Sequence, residues 1–387
     1  MPIVNRIADF HADMTAWRHD IHAHPETAFE ETRTAARVAE LLESFGIAVE
    51  RGVAKTGVIG TLTGNAPGHR AIALRADMDA LHVHEKTDAA YASQHEGRMH
   101  ACGHDGHTTM LLGAARYLAE TRNFAGTIHF IFQPAEENEG GARVMVDEGV
   151  LSRYPVEAIY GMHNWPGLAA GQFAIRPGPM MAAFDIFEIT VTGRGAHAAM
   201  PHLGIDPIVV AAQIVTGLQT IASRNTHPLE GAVVSVTQIH GGDTWNVIPD
   251  TVVLRGTTRA FEPAVRDAIE PAMRRVAEGT AASLGAEVAM RYERRYPPTV
   301  NSMAETEIAA GIAADIVGAD KVRRDLLPSM GAEDFAWFLQ EKPGAYIWIG
   351  NGEEAANLHN PHYDFNDDIL LLGASYWVRL AESVLAK

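Results

Sequence analysis

The chain has 387 residues, of which 47% are hydrophobic and 20% are charged, so we expect an ordinary globular protein that is large enough for two domains. Its 48 acidic side chains outnumber the 31 basic ones and give a formal net charge of -17, which argues against nucleic acid or an anionic membrane as a partner. Residues 1–20 lack the apolar stretch of a signal peptide, no apolar run approaches the roughly 20 residues of a membrane helix, and a single cysteine cannot form an internal disulfide, so we expect a cytoplasmic protein.

Helices and short apolar strands alternate through the first part of the chain. Apolar residues at helical spacing predict two amphipathic helices, with the stripes Ile7, Phe10, Met14, Trp17, Ile21 and Ala35, Val38, Leu41, Leu42, Phe45. Short apolar runs predict strands at residues 57–62, 71–76, 127–132 and 158–162, with a helix at 108–120. This alternation predicts an α/β domain with a mixed, mostly parallel sheet.

The pattern changes at a linker rich in proline, glycine and methionine at residues 177–181. The predicted elements that follow are a strand (184–191), a helix (207–223), two strands (232–239 and 251–258), a helix (262–284) and a strand (287–292). This is the βαββαβ order of a ferredoxin-like module. The α/β pattern then resumes with a strand at 345–350 and a helix at 367–385, so we predict one domain from 1–182 and 297–387 and an inserted domain at 183–296.

Three polar clusters lie beside predicted strands or helices of the first domain. They are the segments 99–107 (MHACGHDGH), 133–137 (QPAEE) and 161–164 (GMHN). Ligand sites in open α/β sheets form at the carboxyl ends of the strands, where these segments can converge. Because thiolate, imidazole and carboxylate groups bind zinc and related divalent ions, the cysteine, histidine and glutamate side chains of these three segments are candidates for a metal site.

Each cluster also has a purely structural interpretation. A lone cysteine is often a small buried apolar residue, two adjacent glutamates often form a solvated turn, and one histidine after a strand is often a core residue. The segment around Cys102 has no apolar period that would bury it, which favours metal binding. Glu136 and Glu137 follow an apolar strand that we expect to be central, where polar residues are more often functional. The case for His163 depends on the other two clusters.

Signatures of other enzyme classes are absent from the sequence. The segment 95–100 (HEGRMH) has its histidines five residues apart rather than the four of a zincin motif. There is no serine-hydrolase elbow, no Walker loop and no zinc-deaminase motif. The segment 193–197 (GRGAH) lacks the third glycine and the following helix of a dinucleotide-binding loop.

In their order along the chain, these clusters resemble the aminoacylase and glutamate carboxypeptidase superfamily of metallopeptidases, in its branch of hippurate hydrolases and plant auxin-conjugate hydrolases. The resemblance spans nearly the whole chain. The other matching segments are 18–26 (RHDIHAHPE), 75–81 (RADMDAL), 195–202 (GAHAAMPH), 246–249 (NVIP), 331–335 (GAEDF) and 358–361 (LHNP).

This resemblance implies a set of metal ligands and a general base. The ligands would be Cys102, His104, Glu137, His163 and His359, and they would hold two divalent ions such as zinc, manganese, cobalt or nickel. Glu136 would be the general base. The first domain would then be the catalytic one, and the inserted domain a lid that also forms a homodimer or a higher homo-oligomer.

One position departs from the pattern of the other superfamily branches. Arg75 stands where those branches have a histidine two residues before the aspartate. Cys102 and His104 would then replace the histidine and the bridging aspartate of those branches. A thiolate ligand makes the site softer and changes which metal it prefers.

The activity implied is hydrolysis of the amide bond of N-acyl amino acids, either hippurate-like or N-acetylated, by a metal-activated water. We expect Asp77 to orient a ligand histidine, with Asp79 as the alternative for that role. In the lid, His197 and His202 are candidate donors to the tetrahedral intermediate. Asn246, Arg255 and Arg259 are candidates for binding the substrate. The histidines can equally support the lid strand, and the arginines can belong to a solvated face.

Three other functions fit the same residues. A dipeptidase or carboxypeptidase would use the same metals and recognise a different side of the amide. A specialised hydrolase would cleave another C–N bond, such as that of an aryl amine. A non-catalytic metal-binding protein is disfavoured, because such a protein needs no general base at Glu136.

Overall fold

The computed structural model describes residues 4–387, which divide into two units. The first unit contains the chain up to Met180 together with Val300–Leu327 and Asp334–Lys387, and the second contains Met181–Thr299 and Pro328–Glu333. The first three residues, part of the segment for which we predict no signal peptide, lie outside the described residues. Within residues 4–387, no helix combines the length and apolar character needed to cross a membrane.

Helices and strands are numbered in chain order. The α-helices are α1 (Asn5–Ala8), α2 (His11–Ala23), α3 (Thr32–Ser44), α4 (His104–Thr121), α5 (Gly141–Asp147), α6 (Val150–Arg153), α7 (Pro207–Thr220), α8 (Pro263–Ser283), α9 (Met303–Val317), α10 (Ala336–Glu341) and α11 (Leu370–Val384). The strands are β1 (Ala48–Val53), β2 (Gly57–Thr63), β3 (Ala66–Asp77), β4 (Ala125–Gln133), β5 (Ala158–Pro166), β6 (Phe173–Ala174), β7 (Gly178–Met181), β8 (Ala183–Thr192), β9 (Ala196–His197), β10 (Ala232–His240), β11 (Val247–Ile248), β12 (Thr251–Ala260), β13 (Glu287–Tyr296), β14 (Thr299–Asn301), β15 (Val322–Arg323) and β16 (Gly344–Gly352).

The sheet of the first unit has eight strands in the order β1-β2-β4-β3-β5-β16-β6-β15. Its central strands β4, β3, β5 and β16 are parallel, while β1, β2 and β6 join it through antiparallel pairs. The predicted mixed α/β sheet is therefore confirmed. Since the central strands run the same way, their carboxyl ends lie along one edge, where Asp77 is paired with Gln133.

The helices of the first unit bury the apolar stripes that the sequence predicts. Phe10, Met14 and Ile21 are at most 1% exposed, and α2 packs against α4. The first predicted helix is divided into α1 and α2, and Val38 and Leu42 of α3 are fully buried. This apolar layer fixes the position of α4, whose first turn carries two of the histidines of the first polar cluster.

The second unit has the predicted βαββαβ order. Its main sheet is antiparallel, in the order β10-β12-β8-β13. Alternate residues of β8, namely Phe187, Ile189 and Val191, form a core with apolar residues of α7 and α8. The intervening residues of β8 are partly exposed on the other face.

Candidate metal centre

Helix α4 begins at His104, one turn earlier than the sequence predicts. Gly103 precedes it with φ +93°, and a Cβ atom there would lie 2.2 Å from Nδ2 of Asn164. Glycine is the residue that tolerates both conditions. Because the Gly-His-Asp-Gly sequence is polar, hydrophobic periodicity does not show that the helix begins there. Because of this earlier start, His104 and His107 lie on the first turn of a buried helix.

Asp79 holds the loop that follows β4. Its Oδ1 accepts a hydrogen bond from the backbone N–H of Glu136 (3.0 Å), and its Oδ2 accepts one from that of Glu137 (2.9 Å). Oδ1 also lies 3.2 Å from Nδ1 of His104. This contact places the hydrogen of His104 on Nδ1, because a carboxylate only accepts, and turns the Nε2 lone pair away from Asp79.

A second carboxylate stabilises a strained backbone conformation in the same loop. Ala135 has φ +53°, a backbone region that residues other than glycine rarely adopt. Its N–H donates to Glu31 across 2.8 Å, and Glu31 also accepts a hydrogen bond from Thr56. These fully buried contacts hold the backbone that carries Glu136 and Glu137.

Asp77 contacts a different histidine from the one that Asp79 contacts. Its Oδ1 lies 2.6 Å from Nδ1 of His107, and its Oδ2 accepts a hydrogen bond from Arg75 at 2.7 Å. Nε2 of His107 accepts the backbone N–H of Asn164 at 2.9 Å. Both ring nitrogens of His107 are therefore engaged within the protein, whereas Asp77 lies 3.9 Å from Nε2 of His104.

The five predicted metal ligands converge in the first unit. The potential ligand atoms of Cys102, His104 and His163 all lie within 4.8 Å of one another, as do those of Cys102, Glu137 and His359. Within these trios, Nε2 of His163 is 3.3 Å from the Cys102 sulfur, and Nε2 of His359 is 3.1 Å from Oε1 of Glu137. Cys102 belongs to both trios, so its sulfur lies between the two groups of donors.

Glu136 lies beside these donors. Its carboxylate belongs to a third trio with His104 and Glu137, whose potential ligand atoms also lie within 4.8 Å of one another. The side chain is buried, and its Oε1 accepts a hydrogen bond from the backbone N–H of Asp334 at 3.3 Å. This hydrogen bond orients the carboxylate.

The charges of the site suit a cation. Burial and the nearby carboxylates of Glu137 and Glu136 raise the pKa of the Cys102 thiol well above its usual value. Burial lowers the pKa of His104, but Asp77 and Asp79 outweigh it and raise that pKa to about 10. Burial lowers the pKa of His163 well below its usual value, which keeps the imidazole neutral. A divalent cation would reverse the effect on the thiol, because it favours the thiolate.

The donor atoms fit the two ions that the resemblance implies. Nε2 of His104 is buried and has no hydrogen-bond partner, which is costly for a polar atom. A bound cation would displace the proton from Nε2 and use this nitrogen as a ligand. The thiolate, imidazole and carboxylate donors are those of zinc-type sites. Each of the two trios that share Cys102 would supply three protein ligands, the number found in catalytic zinc sites.

The predicted lid histidines and Asn246 all lie in the second unit. His197 on β9 is paired with Val247 on β11, and the backbone carbonyl of Asn246 accepts the N–H of Ala198. His197 and Asn246 are therefore brought near each other, and both are exposed. His202 lies on an exposed 3₁₀ turn, Pro201–Leu203.

The two predicted arginines lie on the face of the second unit's sheet that is opposite its helices. Arg255 is half-exposed and donates to Glu188 at 2.7 Å. Arg259 lies 4.3 Å from the ring centroid of Phe184 and donates to the carbonyl oxygen of Thr258 at 3.0 Å. Each guanidinium therefore already has a partner in its own unit.

The sequence indicates no role for Glu31, and it places Asn164 in the third polar cluster without a role of its own. Glu31 directly precedes α3 in the structure, and no sequence motif marks it. Asn164 directly follows the candidate ligand His163, which was the available signal. Its role depends on contacts with residues far away in the sequence.

Comparison with known proteins identifies relatives along almost the whole chain. The sequence pattern of the peptidase family M20/M25/M40 matches residues 73–383. An N-acetylcysteine deacetylase of Bacillus subtilis is 42% identical over 379 residues, which cover 97% of this chain and 98% of the relative. A hippurate hydrolase of Campylobacter jejuni is 38% identical over 382 residues, covering 98% and 99%. A solved Bacillus subtilis structure, described as a dinuclear metal-binding peptidase from the M20 family, has a TM-score of 0.85 and 38% identity, covering 98% of this chain and 99% of that chain.

Proposed function

The chain belongs to the peptidase family M20/M25/M40, and we propose that it is a metal-dependent amidohydrolase that cleaves the amide bond of N-acyl amino acids. The observation that carries this proposal is the buried carboxylate of Glu136, held within 4.8 Å of the potential ligand atoms of His104 and Glu137. A protein that only binds metal needs no such group, whereas a hydrolase needs a base at this place.

We assign the ligands as Cys102, His104, Glu137, His163 and His359. Two divalent ions bound there would polarise the scissile carbonyl group and lower the pKa of a water molecule. The thiolate favours zinc, cobalt or nickel over the hard ions magnesium and calcium, while the carboxylate ligand also suits manganese.

Glu136 is the residue that moves the proton. An oxygen of its carboxylate takes a proton from the attacking water as the new C–O bond forms. The same carboxylate then gives the proton to the amine nitrogen as the C–N bond breaks. The hydrogen bond from the backbone of Asp334 keeps the carboxylate in place during both transfers.

The substrate class rests on the relatives and on chemistry that the second unit can supply. The relatives are named for removing the acyl group of N-acetylcysteine and for hydrolysing hippurate. Nδ1 of His197 accepts the N–H of Ala199 at 3.1 Å, so a neutral ring carries its hydrogen on Nε2. We propose His197, with His202 and Asn246, as donors to the oxyanion, and Arg255 and Arg259 as partners of the substrate carboxylate.

We propose that the second unit also mediates a homodimer in the cytoplasm. Strand β10 is an outer strand of its sheet, and outer strands readily pair with another chain. Trp245 is fully exposed, and Leu203 and Ile239 are more than half exposed. Exposed apolar side chains of this size are typical of protein interfaces. Light scattering of the purified protein gives the mass directly.

The test is a substrate panel. Metal-stripped protein is reloaded with zinc, manganese, cobalt or nickel and given N-acetyl amino acids, N-benzoyl amino acids and unmodified dipeptides. We expect amine release from the N-acyl amino acids that depends on the added metal. Faster release from dipeptides would move the assignment to a dipeptidase. No release with any metal, from a protein that binds two ions, would contradict it.

A further inference from the structure

Asn164 connects the segments that carry three of the proposed ligands. Its Nδ2 donates to the backbone carbonyl of Cys102 at 2.6 Å. Its backbone carbonyl oxygen lies 2.6 Å from Nδ1 of His163. Its Oδ1 accepts the hydroxyl of Tyr363 at 2.7 Å, four residues after His359. All of these contacts belong to the first unit, and Asn164 is 0% exposed.

The hydrogen bonds fix the orientation of the amide. A backbone carbonyl only accepts, so the atom that faces Cys102 must be the donor Nδ2, and Oδ1 must face the hydroxyl of Tyr363. The carbonyl of Asn164 likewise requires the hydrogen of His163 on Nδ1. The Nε2 lone pair of His163 then points toward the Cys102 sulfur, 3.3 Å away. The backbone carbonyl at position 164 therefore selects the tautomer in which His163 can bind a metal, whereas the side-chain amide acts on the segments of Cys102 and His359.

Space around Asn164 is restricted. A Cβ atom at Gly103 would lie 2.2 Å from Nδ2 of Asn164 and 2.5 Å from the hydroxyl of Tyr363. The backbone N–H of His359 donates to the carbonyl of Ala101 at 2.7 Å. The segments that carry Cys102 and His359 are thus joined by this bond and by the path through Asn164 and Tyr363. A side chain without the donor Nδ2 or without the acceptor Oδ1 would break one hydrogen bond of this connection between Cys102 and Tyr363.

We propose that Asn164 is a positioning residue whose side-chain amide sets the spacing of the proposed ligands Cys102 and His359 relative to His163, and that it thereby determines how tightly the protein holds its metal ions. This inference rests on the ligand set proposed above. The side chains of His104 and Glu137 do not depend on it directly, because Asp79 holds His104 and the backbone of Glu137. Asn164 thus organises one side of the metal site and Asp79 the other.

The experiment compares matched substitutions of two buried asparagines. Asn164→Asp keeps the size of the side chain and replaces the donor toward Cys102 with an oxygen, and Asn164→Ala removes the amide without adding charge. Asn301 is the control, because its side chain is also buried and bonds the backbone carbonyls of Arg176 and Tyr346, which belong to segments without a proposed ligand. The readouts are zinc affinity by chelator competition and the thiolate-to-metal absorption of the cobalt-loaded protein, with thermal unfolding of the metal-free protein as the check on folding.

We expect both Asn164 variants to bind at least one ion about 10- to 100-fold more weakly than the parent. Their cobalt absorption should also change, because the Cys102 sulfur is displaced. Asn301→Asp and Asn301→Ala should lower the unfolding temperature without changing zinc affinity or the cobalt spectrum. If neither Asn164 variant folds, Tyr363→Phe removes a single hydrogen bond from the same path and should weaken zinc binding to a smaller degree.

Folded Asn164 variants with the affinity and cobalt spectrum of the parent would overturn this inference while leaving the proposed function intact. The same result for Tyr363→Phe would overturn it where the Asn164 variants do not fold. A parent protein that binds no zinc or cobalt would overturn the proposed ligand set, and the inference with it.

Discussion

Single carboxylates organise this site, and each has a partner that the sequence does not reveal. Asp77 and Asp79 are two residues apart, and the sequence favours Asp77 for orienting a ligand histidine. The structure places Asp79 against the proposed ligand His104 and Asp77 against His107, both of whose ring nitrogens are engaged within the protein. The sequence shows that both carboxylates are near the site. Which histidine each carboxylate contacts depends on the direction of its side chain after the end of β3, which the sequence does not show.

Substitution of each aspartate by asparagine separates their roles. Asp79→Asn removes the charge that holds Nδ1 of His104 and weakens the acceptor of two backbone N–H groups, so zinc affinity should fall by about 10- to 100-fold. Asp77→Asn should reduce zinc affinity less, because its contact with His107 acts only indirectly. Chelator competition on both variants measures the difference. An equal or larger loss in Asp77→Asn would contradict the assignment.

At the scale of elements, the sequence predicts the strands and helices whose hydrophobic period is clear and misses those without one. The stripe of α2 and the alternation in β8 are buried as predicted. Helix α9 was not predicted, because it is alanine-rich and its exposed face also carries apolar residues such as Met303 and Ile308, so its buried stripe does not stand out in the sequence. The first turn of α4 was missed because its buried residues are polar ones that serve the site.

Helix α4 also explains why the polar segment contains Gly106. A Cβ atom at Gly106 would lie 2.2 Å from the ring of Phe365, which is itself buried. We expect Gly106→Ala to destabilise the first unit by about 1–3 kcal/mol through overpacking. Gly311 in α9 has nothing within 4 Å of its Cβ position, so Gly311→Ala should stabilise by roughly 0.5–1 kcal/mol.

Urea unfolding of the metal-free protein measures both glycine variants. Because the two substitutions add the same methyl group to a helix, opposite signs would reflect the space available at each position. No effect of Gly106→Ala would contradict the packing described for α4, and destabilisation by Gly311→Ala would contradict the open space described beside α9.

At the scale of the whole molecule, stability should depend on pH through a buried histidine far from the proposed ligands. His129 lies within β4, and Nδ1 accepts the hydroxyl hydrogen of Thr61 at 3.0 Å when the ring is neutral. Burial lowers the pKa of His129 from 6.5 to about 4. The unfolded chain therefore binds a proton at higher pH than the folded one, so this contribution to stability is present above pH 6.5 and is lost as the pH falls toward 4.

The size of the effect follows from the shift. Between pH 7 and pH 5, His129 should account for a loss of about 2 kcal/mol in the free energy of unfolding of the metal-free protein. His129→Gln removes the titrating group, so its stability should fall less over the same interval. Urea titrations of both proteins at the two pH values measure this difference. Parallel losses in the two proteins would show that His129 does not carry the effect.

The architecture of both units could be predicted from the sequence, because strand and helix periods and the βαββαβ order depend on local patterns. The convergence of the site could be predicted only in outline, since the carboxyl ends of parallel strands share an edge. The buried partners of the site, such as Glu31 beneath Ala135, depend on long-range packing that no local pattern records.

The role of Glu136 as the general base is tested most directly by comparing the parent protein with Glu136→Gln. The metal content and the turnover of an N-acyl amino acid are measured on the same samples. Glu136 lies beside the proposed ligands, and the two trios that share Cys102 already supply three donors each without it. The variant should therefore hold as many ions per chain as the parent does. Its kcat should fall by about 10²- to 10⁴-fold, because the group that moves the proton is gone. Loss of an ion from the variant would make Glu136 a ligand, and turnover close to that of the parent would show that another residue is the base.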